Sequence, residues 1–159
     1  MESRVNFAKH YSSGLAKAML GLQKAVDESG LDHTLLDLVK VRASQINGCA
    51  YCIDMHWKEA RLRGETEQRL YGLAAWPETP YYSPRERAAL AWADAVTRIG
   101  ETHAPDDVYR ELTRHFREDE IVALTFALVA INGWNRLMIG FRAPAGTYEP
   151  KAVAAPVTA

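Results

Sequence analysis

Apolar residues in this chain recur three and four positions apart, in stretches closed by glycine or proline, and almost no segment shows the strict alternation a half-buried strand requires. That periodicity restricts the fold to a packing of helices. From Asn6 to about Glu28 the stripe is Leu15, Met19, Leu22 and Val26, closing at Gly30. A second stretch, from about His33 to Ile46, turns Leu35, Leu36, Val39, Ala43 and Ile46 toward a core and stops at Asn47-Gly48. A third runs from about Cys49 to Leu62 before Gly64, and a fourth from Thr66 to Ala75 before Pro77. Ser83-Pro84-Arg85-Glu86 combines a serine cap, a first-turn proline and a glutamate placed for a capping box, opening a helix that reaches about Ile99. Pro105-Asp106-Asp107 starts another, to about Phe116, and the last extends from near Asp119 to about Met138. Gly133 inside that last helix implies close packing. The fold class is all-α, with about six or seven helices.

At 159 residues, 48% hydrophobic and 25% charged, the chain can build one domain with a real core. Residues 1–142 read as that domain; from 143 to 159 the composition shifts to Pro, Ala, Gly and Thr without periodicity, predicting a loose C-terminal arm. A net charge of -1 with no basic run argues against nucleic acid and anionic membrane as partners. The apolar run from Ile121 to Ile131 is too short for a bilayer and reads as a buried helix. The opening Met-Glu-Ser-Arg-Val-Asn-Phe lacks a secretory pattern, so a cytoplasmic location is expected, where paired cysteines signify redox or metal chemistry.

The only two cysteines stand in Cys49-Ala-Tyr-Cys-Ile-Asp-Met-His56. On a helix, at about 100° per residue, Cys49, Cys52 and His56 fall within an arc of roughly 60°. The Asn47-Gly48 turn places both thiols near a helix N-terminus, where free N–H groups favour a thiolate, and His56 one turn beyond Cys52 can accept and return its proton. A sulfenic acid formed on one sulfur then has the other to condense with. Alternatives remain open on spacing alone. Cys49, Cys52 and His56 could be three zinc ligands, completed by Asp37 or a distant histidine, although no second CxxC supplies the fourth. The two could also be buried thiols acting as small hydrophobes, or a structural disulfide, which so short a loop stabilises little. Asp37, on the preceding helix, either folds back to orient His56 or is a solvated helix-face charge. Trp57, Trp76, Trp92 and Trp134 are read as packing residues, with Trp57 able to wall a pocket beside His56. Asn132, Asn135 and Arg136, on a largely buried helix, must find polar partners.

The run from Asp37 through Cys49-Ala-Tyr-Cys-Ile-Asp-Met-His to Arg61 closely resembles the signature of the carboxymuconolactone decarboxylase and alkylhydroperoxidase D-like superfamily, and Ile131-Asn-Gly-Trp-Asn-Arg136 with Phe141-Arg142 resembles its closing helix. The resemblance spans roughly Phe7 to Pro144 and implies an all-helical homo-oligomer, a trimer or hexamer, and no cofactor is expected from the residues. It implies a hydroperoxide substrate, Cys52 as the attacking thiol, Cys49 as the resolving one, His56 as base, Asp37 as relay carboxylate, and a lipoyl- or thioredoxin-type dithiol protein as reductant. Two departures stand out. Asp37 replaces the family's usual glutamate, one methylene longer, and Tyr51 replaces a histidine between the cysteines. The decarboxylase branch lacks the paired cysteines, so Cys49 and Cys52 argue against lactone chemistry.

Overall fold

The structure, a computed structural model, describes residues 2–150. Among the described residues there are eight α-helices and no strand: α1 Gly14–Asp27, α2 His33–Asn47, α3 Ala50–Leu62, α4 Glu67–Gly72, α5 Pro84–Thr97, α6 Ile99–Thr102, α7 Asp106–Thr113 and α8 Glu118–Phe141. The all-α expectation holds. The count exceeds seven because α5 stops at Thr97 and, after Arg98, Ile99–Thr102 form the separate helix α6.

Helix α2 is the axis of the bundle. Every residue from Leu35 to Ser44 is buried, because α2 packs against α3, α5 and α8 at once. A helix enclosed on all sides must neutralise its polar residues. Lys40 reaches Asp27 at 3.1 Å, and Arg42 clamps both oxygens of Asp94 at 2.6 and 2.8 Å. Ser44 turns its hydroxyl back to the Lys40 carbonyl. Ile46, read as a core residue, is only half-buried at the helix end.

The expected caps form where the sequence sets them. Ser83 accepts from the Glu86 amide while Glu86 accepts from the Ser83 amide, closing the capping box. The N-terminal stripe needs one correction. A 3₁₀ turn at Phe7–His10 precedes α1, which starts only at Gly14 behind the Ser13 cap. This rotation buries Ala16 and leaves Leu15 86% exposed, with Met19, Leu22 and Val26 facing inward as expected.

Helix α8 outruns the apolar run that marked it. Its inner residues Ile121, Leu124, Ala127, Leu128 and Ile131 belong to the main core, although by length and composition alone it would also suffice to cross a membrane. Gly133 meets α1 closely, since a Cβ there would lie 3.1 Å from Met19 Cε. Trp57 packs in a second apolar cluster around Leu38, Leu70 and Leu90. The segment read as a loose arm is fastened at its start. Gly146 N–H donates to Asp54, Lys58 donates to the Tyr148 carbonyl, and Tyr148 O–H donates to Glu59. Residues 151–159 of that arm lie outside the described residues.

Candidate active site

The thiols owe their position to the turn between α2 and α3. Gly48 closes α2 in the left-handed region at φ 69°, a conformation that a side chain would strain. Cys49 then becomes the N-cap residue of α3, and Cys52 lies in its first turn. Both are free thiols, 0% and 1% exposed. Cys52 alone of the two lines a cavity of about 230 Å³.

The two sulfurs titrate as a pair. Its hydrogen bond with Cys52 draws the Cys49 thiol down to about 7, against the opposing effect of burial, while that same bond and burial push Cys52 up. One proton is thus shared between them: the first is lost more readily than from an isolated thiol, and the second is retained. The value near 7 belongs to Cys49, so the first charge falls on the inner sulfur, and Cys52 carries it toward the cavity only when the remaining proton moves to Cys49. Asn135 supports both sulfurs from α8. It is fully buried, accepts from Asn47 at 2.9 Å and donates to Ser44 at 3.1 Å. Asn132 joins this network through Asn47 and Thr97, and Arg136 caps it by donating to the Asn132 carbonyl.

His56 stands in the same cavity, 5% exposed, but its hydrogen bond is not to sulfur. Its Nδ1 lies 3.1 Å from Oε2 of Glu59, one turn along α3. Burial raises the Glu59 carboxyl, yet the hydrogen bonds from His56 and Tyr148 and the nearby charges of His56 and Arg63 overcome it and hold the group at about 2. An ionised Glu59 accepts from Nδ1–H, which leaves the opposite ring nitrogen, Nε2, as the basic one.

Asp37 enters the site but not as the partner of His56. Its Oδ2 lies 2.6 Å from Nη1 of Arg63, the C-cap residue of α3. Burial raises the Asp37 carboxyl, and Arg63, Lys40 and His56 act against that rise. The carboxylate that orients His56 is thus Glu59, because Arg63 claims Asp37 first. Tyr51 lines the cavity, and burial together with Tyr11, Cys52, Glu59 and Asp54 pushes its phenol up, so it stays protonated. Trp134, rather than Trp57, forms an aromatic wall, with Tyr11, Leu20, Met55 and Met138 completing the apolar side.

The zinc alternative does not match this arrangement. Among the described residues the convergent donor set is Asp37, His56 and Glu59, within 4.8 Å of one another, and the sulfurs are not part of it. Asp37 is already paired with Arg63, and Glu59 with His56 and Tyr148.

Of the five residues singled out in the sequence, Cys52, His56 and Tyr51 share one cavity, Cys49 lies behind Cys52, and Asp37 is coupled to Arg63. Sequence reasoning missed Glu59, Arg63 and Tyr148. Glu59 had a signal, its three-residue spacing from His56 on one helix. Tyr148 had none, being 89 residues from its partner.

Comparison with known proteins bears on the family and the fold. The profile of the carboxymuconolactone decarboxylase family matches residues 14–95. The uncharacterized protein YdfG of Bacillus subtilis is 42% identical over 139 residues, 87% of this chain and 94% of that protein. A crystal structure from Agrobacterium tumefaciens, of a protein of unknown function whose name suggests AhpD-type antioxidant defence, superposes with a TM-score of 0.88 at 48% identity, covering 92% of this chain and 100% of that one. The debrominase Bmp8 superposes with a TM-score of 0.73 at 23% identity, over 84% of this chain and 72% of its own, a likeness of fold alone. By its likeness to the Agrobacterium structure, this all-helical bundle with a CxxC pair at a helix N-terminus is of the alkylhydroperoxidase D-like class. The chain belongs to the carboxymuconolactone decarboxylase family.

Proposed function

We propose that this protein is a CxxC-dependent thiol peroxidase that reduces organic hydroperoxides through a Cys49–Cys52 disulfide cycle. One observation carries the reading: two free thiols lie together at the head of α3, and the outer one, Cys52, opens onto a cavity that also holds His56. The cavity, about 230 Å³ with aromatic and aliphatic walls on one side, has room for an organic tail that hydrogen peroxide lacks.

In this reading the Cys52 thiolate attacks one peroxide oxygen and the O–O bond breaks. The departing alkoxide takes a proton from His56, which had received the Cys52 proton, so the net change is thiol plus hydroperoxide to sulfenic acid plus alcohol. Cys49 then condenses with the sulfenic acid, releasing water and forming the disulfide. An external dithiol protein, lipoyl- or thioredoxin-type, reopens it by exchange. Homo-oligomer assembly belongs to the same proposal, and the half-exposed Val122, Phe126 and Val129 on the outer face of α8 favour it.

Stopped-flow oxidation of the reduced protein by cumene hydroperoxide and hydrogen peroxide, with thiols counted by mass spectrometry, tests the reading. Loss of two thiols to one internal disulfide, orders of magnitude faster than free cysteine, is the expected result. Oxidation no faster than free cysteine would overturn it and leave the alternative of a non-enzymatic helical oligomer acting as a redox sensor or metal binder.

A further inference from the structure

We propose that Tyr148 is a positioning residue for His56, acting through Glu59, and that the C-terminal segment reaching Tyr148 is thereby a working part of the active site. The inference rests on the peroxidase reading for its chemistry, but its geometry stands independently.

Glu59 is a glutamate on a helix, and its side chain has three rotatable bonds to fix. Its two oxygens are divided between two partners. Oε2 faces Nδ1 of His56 at 3.1 Å, and Oε1 accepts the Tyr148 O–H at 2.6 Å. The tyrosine bond therefore sets the plane of the carboxylate, and that plane decides which oxygen meets the imidazole. The segment carrying Tyr148 is itself held at two points of its backbone. Lys58 donates to its carbonyl at 2.8 Å, and Gly146 N–H donates to Asp54 at 3.1 Å, while Lys58 and Asp54 pair with each other at 3.1 Å. All three anchors, Asp54, Lys58 and Glu59, come from α3, the helix that carries Cys52 and His56. The strap and the chemistry are thus registered to one rigid element.

The consequence falls on the tautomer of His56. With Glu59 fixed, the ring proton is held on Nδ1 and the Nε2 lone pair is available to a group in the cavity. Asp37 bonds to Arg63 through Oδ2, and the hydrogen bond that His56 makes is to Glu59. When Tyr148 loses its hydroxyl, Glu59 is released to other rotamers and the ring loses its preference.

The test compares wild type, Tyr148→Phe, Glu59→Gln and the double variant by ¹⁵N NMR of histidine-labelled reduced protein and by the rate of thiol oxidation with cumene hydroperoxide. Wild type is expected to show His56 as the Nδ1–H tautomer. Tyr148→Phe is expected to raise the Nε2–H population several-fold and to slow oxidation about tenfold, the scale of one hydrogen bond to a charged group. Added to Glu59→Gln it is expected to do nothing further. An unchanged tautomer in Tyr148→Phe, or the same slowing on top of Glu59→Gln, would overturn the proposal. If wild type reacts no faster than free cysteine, the peroxidase reading fails, while the tautomer populations still decide the role of Tyr148.

Discussion

Asp37 and Arg63 form an ion pair, Oδ2 to Nη1 at 2.6 Å, that ties the middle of α2 to the C-terminal end of α3. With the Gly48 turn at the other end of the hairpin, the pair fixes how α3 lies along α2, and so where Cys52 and His56 point. Its carboxylate is 3% exposed and its guanidinium 30%, so loss of the acid would leave a partly buried cation unmatched. Asp37→Asn is expected to destabilise the fold by about 2 kcal/mol, lowering Tm by roughly 4–8 °C. Calorimetry checks the loss, and the thiol oxidation rate should fall far less than in Glu59→Gln. The reverse ranking would restore Asp37 as the relay carboxylate.

The shared proton gives a defined pH dependence. Cys49 is drawn to about 7 from a usual 9.0, so reactivity toward iodoacetamide should rise with pH through a midpoint near 7. Because only Cys52 borders the cavity, the adduct should map to Cys52. Cys49→Ser removes the partner thiol and should move the midpoint upward. Adducts confined to Cys49 would reverse the assignment of attacking and resolving sulfurs.

The same pair should separate by trapping. Cys52→Ser is expected to abolish hydroperoxide turnover, while Cys49→Ser should accumulate a sulfenic acid on Cys52, read by dimedone labelling and mass spectrometry. Turnover at the wild-type rate in Cys52→Ser would exclude the mechanism.

Glu59 makes stability depend on acidity. Its folded-state value of about 2 lies below the ordinary 4.5, so the folded protein binds fewer protons there and stability rises with pH. The contribution is complete above pH 4.5 and disappears as pH falls through 2. Urea melts between pH 5 and 2 should therefore show a steeper loss in wild type than in Glu59→Gln. Equal slopes would mean that the His56 and Tyr148 bonds do not persist in solution.

The outer face of α8 carries the assembly prediction. Phe126 and its neighbours Val122 and Val129 lie beside Trp92 and Tyr109 in an apolar depression. Phe126→Glu places a charge there and is expected to lower the oligomeric state in sedimentation analysis, without unfolding the chain. An unchanged mass would move the interface elsewhere.

Much of this protein was written locally. The three-to-four spacing, the Ser83 box, Asn47-Gly48 and the CxxCxxxH run each act within one or two helical turns, and such short-range rules fixed the helices, the head of α3 and the thiol–histidine alignment. The partners of the charged groups could not be decided at that range. Asp37 stands in α2 where either His56 or Arg63 of α3 could claim it, and only the packing of the hairpin awards it to Arg63. Likewise Tyr148 comes from a segment without periodicity, and it reaches Glu59 because three residues on α3 hold its backbone and side chain. Sequence by itself determined which residues could do chemistry. Tertiary structure decided which carboxylate serves the histidine, because a hydrogen bond depends on distances of a few ångströms that the order of residues does not specify.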